Sequence, residues 1–209
     1  MVIFMNYKLY RSLHDIIHPS ISRKNISNYE IIMNDEVVPV NIFYPSINTN
    51  VYKAIIYIPD KIKKDDIYIE LAKETNNLII VINYTDKNKL NDCYKLIKYI
   101  YDNIEGTGID KNDIAIMSDY AGTKLEEEVL QKSMETHDFS INNAIIINPN
   151  ESINNSIMNK NKVLVITGID SKVHKNDYKK INSYLSGFVR GDNLATSESI
   201  YSLINDFLG

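Results

Sequence analysis

Hydroxyl and carboxylate side chains gather where an apolar run gives way to a turn. Ser118-Asp119-Tyr120-Ala121-Gly122-Thr123 follows Ile116-Met117 and leads into a helical pattern. A strand, a sharp turn and a helix in that order present the central side chain, Tyr120, at the end of a sheet. Acyl-transfer chemistry there needs three parts: a hydroxyl or thiol nucleophile, a base within hydrogen-bond reach, and N–H donors for the oxyanion. Tyr120, Ser118 and Thr123 supply hydroxyls, but a phenol with an ordinary pKa of about 10 is mostly protonated at neutral pH. Ser118 ends a strand and Thr123 begins a helix, where hydroxyls ordinarily cap or bond to backbone. The bases are sparse. Of four histidines, His14 and His18 lie four apart in the N-terminal helical stretch with no third metal ligand nearby, His137 reads as a loop residue at a helix end, and His174 sits near a helix start. Cys93, the one cysteine, falls on an amphipathic pattern and reads as packed. The Glu126-Glu127-Glu128 run reads as a solvated helix face. Lys61, Lys63 and Lys64 with Asp65 and Asp66 form a mixed-charge loop without a glycine-rich phosphate cradle.

The elements that must position these groups alternate. Tyr7 to His18 is a helical pattern closed by Pro19. Tyr29 to Met33 and Val37 to Tyr44 form a β-hairpin around Asn34-Asp35-Glu36. Tyr52 to Ile58, Leu78 to Asn83, Asp113 to Met117, Asn143 to Asn148 and Lys162 to Thr167 are short apolar strands, as expected for strands buried on both faces. Helical patterns fall between and after them, at Asp65 to Glu74, Asn91 to Ile104, Thr123 to Thr136, Lys175 to Leu185 and Ser197 to Leu208. Parallel strands need crossovers and helices must cover both faces. The expectation is therefore a single α/β domain over residues 1–209. It has a doubly wound, mostly parallel sheet, an antiparallel hairpin at one edge, and residues 1–27 as an N-terminal helical extension. The Asn- and Ser-containing stretch from Asn148 to Asn161 is the one candidate flexible segment.

Composition narrows the function classes. The 209 residues carry 23 basic and 27 acidic side chains, a net charge of −4, with no basic stripe to neutralise a phosphate backbone, so nucleic acid is not expected as a partner. The longest apolar runs are strand-sized, well short of the roughly 20 residues that span a bilayer. No secretory leader pattern stands at Met1 to Arg11, and a lone cysteine suits a reducing compartment, so a cytoplasmic protein is expected. The surplus of Ile and Asn, with 15 Tyr, no Trp and only 7 Gly, reads as the codon bias of an AT-rich genome.

The turn at 118–123 resembles the nucleophile elbow of α/β-hydrolases, and its residues are similar to the Gly-Asp-Ser-Ala-Gly-Gly of the hormone-sensitive-lipase-like esterases, matching at Asp119, Ala121 and Gly122. Other segments resemble that family too. Val37 to Pro45 is similar to its opening hairpin, Lys53 to Ile58 to the strand before its His-Gly-Gly-Gly, and Val81-Ile82-Asn83-Tyr84 to its Val-x-Asp-Tyr, with Asp92 matching the Asp of the next helix. Gly108-Ile109-Asp110 resembles the lead-in to the elbow strand, and Thr167-Gly168-Ile169-Asp170 the loop that carries the triad acid. The resemblance runs from about residue 28 to the C-terminus and implies a shortened α/β-hydrolase fold.

The departures fall on the catalytic parts. Tyr120 stands at the nucleophile position, Ser186 in Ser186-Gly187-Phe188 stands where the family's His-Gly-Phe has its base, and Pro59-Asp60-Lys61 replaces the glycines of the oxyanion segment. Proline offers no N–H and Asp60 would repel negative charge. Of the triad, the acid position Asp170 alone is kept. What the resemblance implies is a catalytically inactive α/β-hydrolase-fold protein, a pseudo-esterase that binds an unidentified protein partner or serves as a structural module, with no cofactor and no metal. Two alternatives stand beside it. One is an active carboxylic-ester hydrolase using Tyr120, Ser118 or Thr123. The other is a small-molecule receptor on the same fold.

Overall fold

The computed structural model describes residues 26–33, 36–47, 49–84, 88–104, 108–154, 157, 160–166 and 198–209. The helices expected at Tyr7–His18 and Lys175–Leu185 lie outside the described residues, as do His14, His18, Asp170, His174 and Ser186.

Among the described residues seven strands make one sheet in the order β1-β2-β4-β3-β5-β6-β7. The hairpin of β1 (Ile26–Met33) and β2 (Glu36–Phe43) pairs antiparallel, Ile26 opposite Phe43 and Met33 opposite Glu36, and β2 pairs antiparallel with β4 (Leu78–Ile82). All remaining pairs, β4 with β3 (Tyr52–Ile58), β3 with β5 (Ile109–Asp119), β5 with β6 (Asn143–Ile147) and β6 with β7 (Lys162–Ile166), are parallel. The doubly wound sheet with its edge hairpin is thus as the sequence predicts.

The helices among the described residues are α1 (Asp65–Thr75), α2 (Lys89–Asp102), α3 (Gly122–Thr136) and α4 (Glu198–Leu208). Asp65 and Asp66 sit in the first turn of α1, where carboxylates meet the positive end of the helix, and Asn76 closes it in the left-handed conformation. The central strands are apolar on both faces because helices cover both. On one face Ala54, Ile56 and Ile58 of β3 and Ile114 and Ile116 of β5 meet Leu96, Ile97 and Ile100 of α2 and Val129 and Leu130 of α3. On the other, Ile55, Tyr57 and Met117 meet Tyr68 and Leu71 of α1 and Ile200 and Ile204 of α4. Period-2 alternation along β5 therefore aims Ser118 toward the α2 and α3 face and Asp119 toward the α1 face.

The stretch after β6, expected to be flexible, is anchored in part: Ile153 and Ile157 are buried in the same core as Val129. The sheet reverses its winding between β3 and β5, the strands from which the chain leaves in opposite directions. Ligand sites of open α/β sheets lie outside the carboxyl ends of the strands at such a point. The loop after β3 and the turn after β5 meet there.

Candidate functional site

The turn that ends β5 is built by three constraints. Tyr120 has a φ of 44°, a left-handed conformation that costs a bulky L-residue roughly 1–2 kcal/mol. It is held in place by its own N–H, which donates to the carbonyl of Ile147 at 3.0 Å, and by its carbonyl, which accepts from the N–H of Thr123 at 3.2 Å. Gly122 then opens α3 hard against β3. A Cβ there would lie 2.5 Å from the Ile58 carbonyl oxygen, so no larger residue fits without moving backbone. Strand, strained residue, tight glycine and helix together make an elbow that carries the half-buried Tyr120 at the winding reversal.

Asp119 points the other way and ties the elbow to the loop after β3. Its carboxylate, almost completely buried, accepts the N–H of Asp60 at 2.7 Å and pairs with the Lys63 ammonium. Lys63 is fixed by its N–H, which donates to the Tyr68 hydroxyl at 2.9 Å, and its ammonium lies 5.9 Å from the centre of the Tyr120 ring. The Tyr84 hydroxyl donates to the Pro59 carbonyl at 2.5 Å and holds the start of the same loop. Burial pushes the Tyr68 phenol up to about 12, and it pushes the fully buried Tyr57 well above its ordinary range, with the Asp119 charge adding to the rise. The phenols around Asp119 are therefore neutral and the ion pair is enclosed by them.

This arrangement bears on oxyanion stabilisation. At Pro59-Asp60-Lys61, Pro59 has no N–H and the N–H of Asp60 is spent on Asp119, while Lys63 neutralises Asp119 instead of facing an open pocket. The cavity beside the elbow, lined by Ala121, Thr123, Glu127, Asn150 and Ser152, is about 70 Å³. Sites for drug-sized ligands run to roughly 300–1,000 Å³.

The candidate substitute nucleophiles are placed out of reach. Ser118 is completely buried, facing α3 from beneath the elbow, and Thr123 is buried on the first turn of α3. His137 closes α3 in the left-handed conformation, at the far end of the helix and at the opposite end of the sheet from Tyr120. Cys93 is buried, and burial pushes its thiol up, away from reactivity. Among the described residues no group of three His, Cys, Asp or Glu side chains gathers as a metal site, and no helix is long and apolar enough to cross a membrane.

Two expectations are corrected. The Glu126-Glu127-Glu128 run is not a solvated face: Glu126 is completely buried, Glu127 is half-buried with its carboxylate accepting the N–H of Asn154, and Glu128 alone is exposed. Thr123 does not cap its helix, since its hydroxyl has no hydrogen-bond partner and α3 has no side-chain cap at Ala121. The helical spacing of Gly122, Glu126, Val129 and Ser133, all buried, is the signal that places Glu126 inside.

Solved structures share this architecture. An arylesterase superposes with a TM-score of 0.57 at 15% identity over 75% of this chain and 71% of its own. An esterase from the archaeon Pyrobaculum calidifontis gives 0.58 at 14% identity over 74% and 68%. An alpha/beta hydrolase enzyme from the metagenome of Lake Arreo gives 0.54 at 17% identity, over 63% of this chain but 46% of its own. The fold is that of an α/β-hydrolase. At these identities the likeness speaks for the fold alone, and the chain spans less than half the length of the Lake Arreo enzyme. No sequence-family profile matches the chain, and no curated protein matches it. On this α/β-hydrolase-like fold the turn after β5 has the shape of an elbow, and the groups around it hold the β3 loop.

Proposed function

We propose that the protein is a catalytically inactive relative of the hormone-sensitive-lipase-like esterases, a pseudo-esterase whose scaffold binds a protein partner or plays a structural part. One observation carries the reading. At the elbow a tyrosine occupies the strained position, and beside it the Asp60 N–H and the Lys63 ammonium are both engaged by Asp119. A hydrolase needs a nucleophile with a base and free donors opposite it. By comparison with serine hydrolases, loss of nucleophile or base costs about 10⁶ in rate, and one lost oxyanion donor a further 10²–10³ or so.

The burial of Ser118 and Thr123 weighs against a relocated hydroxyl, and the small cavity at the elbow weighs against a small-molecule receptor. A protein contact suits the mouth better: Ile62 is half exposed on the loop beside Tyr120, between Lys61 and the fixed Lys63. The test is hydrolysis of a short-chain aryl ester by the purified protein, with Tyr120→Phe alongside and intact-mass analysis after a serine-directed phosphonate. No turnover above buffer and no adduct from folded protein is expected. Turnover abolished by one substitution, or a stoichiometric adduct, would overturn the reading and identify the nucleophile.

A further inference from the structure

Beneath the elbow lie polar atoms that the scaffold reading leaves unused. Ser118 Oγ, Thr123 Oγ1 and both carboxyl oxygens of Glu126 are buried and without hydrogen-bond partners, and the three residues are at least nine-tenths buried. They converge from two elements. Ser118 is the last residue of β5 facing α3, while Thr123 and Glu126 are three apart on the first turns of that helix, on the side that meets β5. Ser118 and Thr123 bracket the elbow in sequence, so whatever happens to Glu126 acts on both ends of the turn that carries Tyr120.

A carboxylate with both oxygens unsatisfied is expensive to bury, whereas a carboxylic acid can donate its proton to a neighbouring hydroxyl. The surroundings favour the acid. The nearby residues of β3, Ile56 and Ile58, are apolar, α2 offers Asp92, Cys93 and Tyr94 toward the layer between the helices, and α3 itself brings Glu127 beside Glu126 with Lys124 exposed. The loop after β6 adds Glu151 near Glu127. Apart from Lys124, none of these groups is a cation.

We propose that Ser118, Thr123 and Glu126 form a proton-held latch: the neutral Glu126 carboxyl keeps the first turns of α3 seated on β5, and release of its proton to solvent loosens the elbow that holds Tyr120. Burial pushes the Glu126 carboxyl up to about 8, the Ser118 hydroxyl beside it pulls the other way, and the Glu127 charge adds a smaller rise. The latch therefore works in a range that a cell's pH can reach, and it is independent of whether the protein is an enzyme.

The chain has no tryptophan, so Tyr120→Trp places a single reporter at the elbow. Acrylamide quenching of that tryptophan is read from pH 5.5 to 9. The expected result is a one-proton increase in accessibility with a midpoint near 8, the exposed fraction growing about tenfold per pH unit below it, and a flat profile when Glu126→Gln is added. A flat profile with Glu126 present, or a transition that survives Glu126→Gln, would overturn the latch. Should the Gln variant fail to fold, Glu126→Leu decides: an apolar side chain of similar size has no proton to release, so its profile must be flat, and a transition that survives it refutes the proposal.

Discussion

Gly122→Ala sets two opposing effects against each other at one atom. Replacing glycine by alanine at a helical position ordinarily stabilises by up to about 1 kcal/mol, through helix propensity and a less disordered unfolded chain. Here the added Cβ would sit 2.5 Å from the Ile58 oxygen, 3.1 Å from the Asp60 nitrogen and 3.2 Å from the Pro59 carbonyl carbon. All three are backbone atoms, so no side chain can swing away, and either α3 or the β3 loop must retreat. Overpacking of this kind costs about 1–3 kcal/mol. The retreat also stretches the 2.7 Å bond from the Asp60 N–H to the buried Asp119 carboxylate, and hydrogen bonds to charged groups are worth about 1.5–3 kcal/mol. With the hydrogen bond's loss added and the propensity gain subtracted, the net loss is about 1.5–5 kcal/mol. Urea denaturation followed by circular dichroism measures it. A double-mutant cycle locates it: Lys63→Met alone leaves the buried Asp119 charge without its cation and costs about 3–5 kcal/mol, and that cost shrinks in the Gly122→Ala background if the loop has already lifted. A Gly122→Ala protein as stable as the parent, or more so, would refute the close approach and with it the account of how the elbow is held.

Three further outcomes are expected. Tyr120→Ser places a serine at the elbow but leaves the Asp60 N–H and Lys63 committed to Asp119, so aryl-ester hydrolysis stays at the buffer rate in a continuous absorbance assay. His137→Gly stabilises the protein by about 0.5–1 kcal/mol in urea titrations, because His137 is exposed, holds a φ of 59° at the end of α3, and makes its helix-closing bond through the backbone. Glu126→Gln removes a pH dependence whose sign follows from the raised folded value. Between the ordinary 4.5 and about 8 the folded state keeps a proton that the unfolded chain has released. The parent then loses about 1.4 kcal/mol of stability per pH unit relative to the Gln variant across that window, and nothing further above it. Parallel denaturation series at pH 5, 6, 7 and 8 give the slope, and parallel lines for the two proteins would mean that Glu126 is ionised in the fold.

The order of strands and helices is legible in the sequence because burial on both faces leaves short continuous apolar runs. Tyr52–Ile58 shows this without ambiguity, its bounds coinciding with β3. The start of β5 is not legible. Ile109 to Asn112 stands outside the strand expected from Asp113, yet the strand begins at Ile109, with an irregularity in its pairing with β3 between Tyr52 and Ala54 that absorbs the polar residues. The elbow is legible from Asp119, Ala121 and Gly122, since a turn that tight restricts residue type. The role of Asp119 is not, because Asp60 and Lys63 lie more than fifty positions away in the chain and only the adjacency of β3 and β5 brings them together. Glu126 falls between these cases. Three consecutive glutamates suggest water, but helical periodicity puts the first of them in line with Val129 and Ser133, and periodicity prevails over charge.

The φ of 44° at Tyr120 also makes position 120 an address. The backbone there is set by the Ile147 carbonyl, the Thr123 N–H and the packing of Gly122, none of which involves the tyrosine ring. A side chain installed at 120 is thus delivered to the mouth of the sheet by a frame indifferent to its chemistry. A photo-crosslinking amino acid in place of Tyr120 would stand where a partner seated on Ile62 and Lys61 has to pass, so that a covalent mark would map the contact on that partner, whatever its identity.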